Sequence, residues 1–286
     1  MRIAIVSRVP SPATLALAAR RVRGLELVPM TPVEAASSLG PGDAALGRLD
    51  VRPTLDGIED GLWALGVLAA RGVTVLNGPG TLLATHDKLL TSRILRRAEL
   101  PHPVTRHVHG TRPFPALAPP LVLKPRHGSW GRHVALCETD AELILELERI
   151  RDEPWYLEHG ALLQELVPPT GSDLRLVVAG GRLIGAVRRV AAPGEWRTNV
   201  ALGARRVPVD PPLAAVRLAL DAARATSAAL VGVDLVPTPD GGFTILELNG
   251  AVDFRPVYEP MRDVFSETVA ALLENGVRQP ELAVSV

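Results

Sequence analysis

Two carboxylates and an amide lie within one apolar hairpin near the end of the chain. Residues 230–249 read LVGVDLVPTPDGGFTILELN, and the turn signal DGG at 240–242 separates two apolar runs. A two-residue loop there places Asp234 opposite Glu247, and a loop shifted by one residue places it opposite Asn249. Because side chains alternate along a strand, Glu247 and Asn249 share one face in either case.

Facing carboxylates on a hairpin repel each other unless positive charge lies between them. A hard cation with oxygen ligands and bound water, such as Mg²⁺, meets that requirement. The alternative is a pair of acids at the rim of the fold that is bonded to arginines. The spacing leaves both open and makes Asp234, Glu247 and Asn249 candidate metal ligands.

A second group of polar side chains alternates with residues that we expect to be buried. In SDLRLVVAGGRLIGAVRRV (172–190), the glycines at 180–181 are typical of a hairpin turn. A two-residue turn places Asp173 opposite Arg188, with Arg175 on the same face. A run of arginines is more often a solvated surface, but this alternation favours a concave site for an anionic ligand. Further donors in the same region are Arg189, Arg197 and Asn199.

Lys124 ends a short apolar run and precedes a loop that contains two glycines. The segment LVLKPRHGSWGR covers residues 121–132, and an ammonium group at the end of a buried strand needs an anionic partner. The loop does not match GxxxxGK[ST], so it is not a Walker A loop. It is either a surface turn or a set of backbone N–H donors for phosphate.

The composition narrows the class of protein. The chain has 286 residues, a formal net charge of +0 and one cysteine, Cys137. Balanced charge gives no electrostatic case for nucleic acid or an anionic membrane as the main partner, and one cysteine excludes an intrachain disulfide and a cysteine-cluster zinc site. No apolar run approaches the ~20 residues that span a bilayer. Since Arg8 and Pro10 interrupt the first apolar stretch before a signal-peptide core forms, we expect a cytoplasmic protein.

Strand and helix signals alternate in the first part of the chain and give way to hairpins later. Strands at 2–6 and 73–77 and helices at 13–23 and 57–71 predict a small α/β unit without a GxGxxG motif. The later hairpins make the fold class α+β with an α/β N-terminal domain. The other predicted elements are a helix at 86–99, a loop at 112–120, strands at 121–124 and 133–137, a helix at 140–151 capped by Thr139, and helices at 211–228 and near 262–275.

Seven segments in one order resemble the ATP-grasp superfamily and, within it, the RimK-like ligases. The resemblance covers nearly the whole chain, and its seven segments together form a signal that no single segment gives. They are HDK (86–88), LVLKPRHGSWGR (121–132), LLQELV (162–167), SDLRLVV (172–178), EWRTN (195–199), VGVDL (231–235) and LELN (246–249).

The resemblance implies an ATP-grasp fold that binds ATP and Mg²⁺, or Mn²⁺, between two α+β subdomains. It implies an N-terminal domain at 1–85, a central subdomain at 86–160 and a C-terminal subdomain at 161–286. The residues it implies are Lys88 and Lys124 for the phosphates; Gly128, Ser129, Trp130 and Gly131 for the closing loop; Gln164, Glu165, Leu166 and Val167 for the adenine hinge; Asp173, Arg197, Thr198 and Asn199 for the nucleotide and its phosphate side; Asp234, Glu247 and Asn249 for the metal; and Arg175 and Arg189, with Lys124, for catalysis.

The chemistry that the resemblance implies is ATP-dependent ligation of a carboxylate to an amine through an acylphosphate. SWGR and the spacing from Asn249 to Phe254 resemble the LysX/ArgX branch, which joins small amino acids to the C-terminal glutamate of an acidic amino-group carrier protein. NGAVDF at 249–254 and Ala204 depart from the branch pattern, so the acceptor is left open. The alternatives are a RimK-like glutamate ligase that modifies a protein C-terminus, and a non-catalytic nucleotide-binding regulator. We expect a homodimer or a homotetramer.

Overall fold

Three β-sheets pack with helices in the residues that the structure describes. The computed structural model describes residues 1–110 and 117–274. The N-terminal sheet is parallel and the two others are antiparallel, which confirms the predicted α+β class with an α/β N-terminal domain. In the part of the chain that the structure describes, no helix has the length and apolar character needed to cross a membrane.

The N-terminal part forms a four-stranded parallel sheet, as the alternating signals predict. Its elements are β1 (Arg2–Val6), α1 (Pro12–Ala18), β2 (Glu26–Met30), α2 (Pro32–Ser38), β3 (Ala44–Gly47), α3 (Leu62–Ala70), β4 (Thr74–Leu76) and α4 (Pro79–His86). The strand order is β2–β1–β3–β4. The two inner strands are almost completely buried, because helices cover a parallel sheet on both faces.

The central part forms a four-stranded antiparallel sheet with the order β5–β8–β6–β7. Its elements are α5 (Lys88–Arg97), β5 (Thr105–Val108), β6 (Leu121–Pro125), β7 (Ala135–Cys137), α6 (Asp140–Ile150), α7 (Pro154–His159) and β8 (Ala161–Glu165). Thr139 caps α6 through its side chain, as predicted. Strand β8 pairs inside this sheet, whereas the sequence assigned 161–165 to the C-terminal subdomain. The division into subdomains stays a prediction.

The helix predicted over 86–99 begins later, at Lys88, because Asp87 interrupts it. The Asp87 backbone is extended, and its carboxylate accepts hydrogen bonds from the N–H groups of Leu89 and Leu90. An aspartate that bonds these unpaired N–H groups starts a new helix rather than continuing the preceding one. This cap fixes Lys88 in the first turn of α5.

The C-terminal part forms a five-stranded antiparallel sheet with the order β11–β10–β9–β12–β13. Its elements are β9 (Ser172–Ala179), β10 (Arg182–Val190), β11 (Arg205–Pro208), α8 (Leu213–Ala225), β12 (Leu230–Pro237), β13 (Phe243–Asn249) and α9 (Val264–Leu272), with short 3₁₀ helices at Val200–Leu202 and Pro256–Tyr258. The predicted helices 13–23, 57–71, 211–228 and 262–275 are all shorter in the structure. Residues 112–116 of the predicted loop and residue 275 lie outside the described residues.

The two faces of the C-terminal sheet differ sharply in chemistry. On one face, Leu176, Val231 and Ile245 pack together with the alanines of α8. Neighbouring positions in each strand lie on the opposite face, because side chains alternate. The paired residues of that opposite face are Asp173 with Arg189, Arg175 with Asp234, and Asp234 with Glu247.

The predicted pairing of Asp173 with Arg188 is wrong, because a β-bulge shifts the register of β9 and β10. One extra residue in β10 places Asp173 opposite Arg189 instead. Just after this bulge, a Cβ on Gly185 would lie 2.5 Å from the carbonyl oxygen of Tyr258. The bulge therefore occurs where the strand passes close to another backbone, a position that requires glycine.

The predicted pairing of Asp234 with Glu247 is confirmed, although the connection differs from a two-residue turn. The strands end at Pro237 and Phe243, so the connection contains five residues. A bulge at Leu246 then adds one residue to β13 and restores the predicted pair.

Candidate active site

A cavity that is partly open to solvent, with an empty volume of about 940 Å³, lies between the central and the C-terminal sheets. Glu247, a predicted metal ligand, lies in its wall. The wall also contains every residue predicted to contact the nucleotide: Lys88, Lys124, Gly128, Ser129, Trp130, Gly131, Gln164, Glu165, Leu166, Val167, Asp173, Arg197, Thr198 and Asn199. Their contact with a nucleotide stays a prediction.

Lys124 is a buried cation that faces a neutral partner. Its Nζ donates a 2.7 Å hydrogen bond to Oε1 of Gln164, and the lysine is 7% exposed. Among the residues that the structure describes, it forms no ion pair. Burial and the neighbouring Lys88 lower the pKa of Lys124 to about 8, although Glu247 acts in the opposite direction. An anionic ligand would supply the partner that the sequence led us to expect.

Lys88 joins three parts of the cavity wall. Its Nζ lies 2.8 Å from Oε1 of Glu247 and donates a 2.5 Å hydrogen bond to the carbonyl oxygen of Gly128. Burial alone would raise the pKa of Glu247, but the Lys88 ammonium holds it below its usual value. The lysine is also anchored, because Arg126 bonds both carboxylate oxygens of Asp87, the cap of its helix.

The glycine-containing loop bends back over the cavity and is held by Arg197. Trp130 and Gly131 have φ values of 60° and 71°, in the left-handed region. Arg197 donates to the carbonyl oxygens of Gly131 and Val134 at 3.1 and 3.2 Å. A Cβ on Gly131 would lie 2.8 Å from Oδ1 of Asn199, so any other residue at this left-handed position would force the Asn199 side chain to move.

Arg132 holds the same loop from its other side. Its guanidinium lies 4.9 Å from the centre of the Trp130 ring and donates a 3.3 Å hydrogen bond to the carbonyl oxygen of Pro53. The sequence left the roles of Trp130 and Arg132 open, and the structure gives them a contact that joins the loop to the N-terminal domain.

Two aspartates and two arginines form an ion-pair network at the edge of the cavity. Arg175 donates to both oxygens of Asp234 at 2.6 Å, and Arg189 donates to Asp234 Oδ2 at 2.8 Å. Burial raises the pKa of the Asp234 carboxyl, but the two guanidinium groups outweigh it and lower the pKa to about 2. Arg189 and Thr198 also bond Asp173.

A second cavity of about 700 Å³ adjoins the first. Ser129, Trp130, Asn199 and Glu247 line both. The predicted residues Arg175, Arg189 and Asn249 line the second cavity, and Asp234 lines neither. The predicted site residues therefore lie close together, but the two adjacent cavities divide them.

Sequence reasoning missed residues in both cavities. In the first, Val122, Val236 and Leu246 supply apolar surface. Val122 could have been found by alternation from Lys124, two positions later in the same strand. In the second, Arg206, Asp253 and Asp50 come from β11, from the segment after β13 and from the N-terminal domain, and no local spacing brings these together.

The residues present fit a nucleotide phosphate, and they fit a divalent cation in part. A buried ammonium without an ion-pair partner among the described residues suits phosphate. Glu247 supplies carboxylate oxygens to the cavity, and Oδ1 of Asn249 accepts a 3.0 Å hydrogen bond from the N–H of Ala251. Both oxygens of Asp234 accept hydrogen bonds from Arg175. This matches the alternative to metal binding that the spacing left open, in which the acids are bonded to arginines.

Comparison with known proteins places this geometry in a family. A family model described as a RimK-like ATP-grasp domain matches residues 85–262. The chain is 29% identical over 224 residues to the glutamate–LysW ligase ArgX of Sulfurisphaera tokodaii, covering 75% of this chain and 78% of the relative. It is also 29% identical over 245 residues to a probable alpha-L-glutamate ligase of Pseudomonas aeruginosa, covering 82% and 77%.

A solved structure agrees over nearly the full length. The RimK domain protein ATP-grasp of Sphaerobacter thermophilus superposes with a TM-score of 0.67 at 26% identity, covering 96% of this chain and 100% of that one. The predicted ATP-grasp fold is confirmed, and the family match covers more than half of the chain. This chain belongs to the RimK-like ATP-grasp family and is an ATP-grasp ligase.

Proposed function

We propose that the protein joins the amino group of an amino acid to the C-terminal glutamate of a carrier protein or peptide. The names of its relatives support this substrate class, since they include a glutamate–LysW ligase and an α-aminoadipate–LysW ligase. Comparable identity to a probable alpha-L-glutamate ligase keeps a protein C-terminus as the alternative acceptor. A cytoplasmic location and a homodimer or homotetramer stay predictions.

The observation that carries the proposal is the pair of adjoining cavities. The first contains buried lysines and a glycine-containing loop, which suit the phosphates of ATP. The second contains arginines and carboxylates, which suit an acid and an amine. Because Asn199 and Glu247 lie in the shared wall, a carboxylate in the second space lies next to a phosphate in the first.

The proposed ligation takes place in two chemical steps. A carboxylate oxygen of the acid substrate attacks the γ-phosphorus of ATP, the bond to the β-phosphate oxygen breaks, and acylphosphate and ADP result. The amine attacks the acyl carbon, phosphate leaves, and the amine loses a proton as the amide forms. Lys88 and Lys124 hold the phosphates, and Arg175 and Arg189 lie where negative charge develops. The wall supplies positioning and charge rather than a covalent nucleophile.

Glu247 and Asn249 are the proposed ligands of Mg²⁺, and Mn²⁺ would accept the same oxygen donors. When bound, the ion supplies positive charge against the phosphate oxygens. Asp234 stays a predicted third ligand, with the qualification that its oxygens bond Arg175 and Arg189 in this structure.

Release of ADP tests the proposal directly. The purified protein is given ATP, Mg²⁺, a panel of amino acids and either carrier-protein or peptide tails that end in glutamate. We expect ADP release that depends on both the amine and the acid. No turnover with any pair would favour a non-catalytic nucleotide-binding protein.

Glu247→Gln tests the metal assignment within the same assay. It should lower ADP formation by about 100-fold or more, the range for removal of one electrostatic stabiliser of a transition state. Glu148→Gln, at an exposed helix position, serves as the matched control and should keep full activity. Activity of Glu247→Gln within a few-fold of the wild type would show that the metal assignment is wrong.

A further inference from the structure

We propose that the second cavity recognises both charges of the incoming amino acid, with Arg206 binding a carboxylate and Asp253 binding the amino group. This inference rests on the proposed function and names the residues that select the amine substrate. Both residues line the cavity of about 700 Å³ that adjoins the nucleotide cavity.

Arg206 is a positively charged residue without a negatively charged partner among the described residues. It lies directly opposite Arg189 on the neighbouring strand, and like charges in such a pair repel. Arg189 is neutralised by Asp173 and Asp234, whereas Arg206 forms no ion pair within residues 1–110 and 117–274. The Nε of Arg206 is buried and lacks a hydrogen-bond partner among these residues. A ligand carboxylate would accept a hydrogen bond from Nε of Arg206, and its negative charge would reduce the repulsion between Arg206 and Arg189.

Asp253 is a negatively charged residue with a buried oxygen that lacks a hydrogen-bond donor among the described residues. Its Oδ1 is buried without a hydrogen-bond partner in the described part of the chain, while its Oδ2 lies 3.9 Å from Nε of Arg255. A buried acceptor that is left unsatisfied is costly, and a donor from a ligand would remove that cost. An amino or ammonium group carries such donors.

The segment that carries Asp253 is fixed in place by a buried arginine of the N-terminal domain. Nη2 of Arg48 donates hydrogen bonds to the carbonyl oxygens of Ala251 and Val252 at 3.3 and 2.7 Å. Its Nε bonds Thr14 at 3.2 Å, which holds the guanidinium against α1. These bonds hold the backbone just before Asp253, so this segment loses less conformational freedom when a ligand binds the Asp253 carboxylate.

Opposite charges with unmet hydrogen bonds in one cavity fit a zwitterion better than a simple anion or a simple amine. An inorganic anion would meet Arg206 and leave Asp253 unsatisfied, and a plain amine would do the reverse. The shared wall places the cavity beside the nucleotide space, so an amino group held there lies near the activated acid.

Binding to the ADP-loaded protein tests the proposal without turnover. Calorimetry compares L-glutamate with three analogues that each lack one group: 4-aminobutyrate without the α-carboxylate, L-2-aminobutyrate without the side-chain carboxylate, and glutarate without the amino group. The wild type should bind L-glutamate about 10- to 100-fold more tightly than glutarate and than one of the two aminobutyrates, as expected for one charged hydrogen-bonded contact.

Each variant should erase one preference. Arg206→Gln should bind L-glutamate no better than that aminobutyrate, and Arg206→Lys should keep part of the preference because it retains the charge. Asp253→Asn should bind L-glutamate no better than glutarate. The controls are Arg205→Gln, which pairs with Val190 and lies on the other sheet face, and Asp210→Asn, which is exposed outside this cavity. Both controls should keep the wild-type preferences.

The inference is overturned if the wild type shows no preference for L-glutamate, or if Arg206→Gln and Asp253→Asn keep all preferences. Absence of ligation together with intact selectivity would contradict the proposed function alone. Ligation that proceeds while both variants keep their selectivity would contradict this inference alone.

Discussion

Asp234→Asn should destabilise the protein strongly, because it removes the carboxylate that two buried guanidinium groups share. The two guanidinium groups lower the pKa of Asp234 to about 2, well below that of an ordinary aspartate, which corresponds to roughly 2–3 kcal/mol of folding free energy. Breaking a buried ion pair by removing one partner costs about 3–5 kcal/mol. We therefore expect a loss of about 3 kcal/mol at pH 7 and a melting temperature lower by about 6–10 °C.

The pH dependence provides a second check on the same residue. Because the folded-state pKa is depressed, the ionised carboxylate stabilises the fold above about pH 4, and this contribution is lost as pH falls toward 2. Thermal melts of the wild type and of Asp234→Asn should therefore converge over that range. Asp221→Asn is the control, because its ion pair with Arg224 is exposed and should contribute less than about 1 kcal/mol. A loss below about 1 kcal/mol in Asp234→Asn at pH 7 would refute the buried network as a stabilising unit.

Two further predictions concern the nucleotide cavity. Binding of ADP at pH 8 should take up about half a proton, because Lys124 with its pKa of about 8 becomes fully charged beside phosphate. Calorimetry in buffers of different ionisation enthalpy measures this uptake, and it should vanish at pH 6.5 and in Lys124→Met; uptake that persists in Lys124→Met would contradict the assignment. Gly131→Ala should weaken ATP binding, because its Cβ would push against the side chain of Asn199. Gly24→Ala is the control, since Gly24 has a similar φ and open space around it. It should cost about 1–2 kcal/mol of stability and leave the affinity for ATP unchanged. Equal ATP affinities in the two glycine variants would contradict the close approach.

Alternation within strands made much of the site predictable from the sequence. A strand places every second side chain on one face, so Arg175 follows from Asp173, and Asn249 follows from Glu247. Lys124 was identified because an ammonium at the end of an apolar run must meet charge or a hydrogen-bond acceptor. These inferences need no knowledge of how the sheets pack.

Features that depend on packing between distant segments could not be predicted in the same way. The bulge that pairs Asp173 with Arg189 occurs beside the backbone of Tyr258, about 70 residues further along the chain. The short strands β2 and β3 were missed, because a proline and several alanines give them little strand signal. Asp87 looks like an ordinary helix residue until its side chain is seen to bond the next turn.

Beyond its bulge, strand β13 is as sensitive to the number of its residues as to their identity. Loss of Leu246 would only remove the bulge and leave Glu247 opposite Asp234, whereas loss of Leu248 would turn Asn249 toward α8 and away from the face of Glu247. The five-residue connection before β13 lies outside the ladder, so its length can change without moving these side chains. Insertions and deletions that become fixed during evolution should therefore accumulate in the turn and be excluded from the strand beyond its bulge, even though both lie within a few residues of each other.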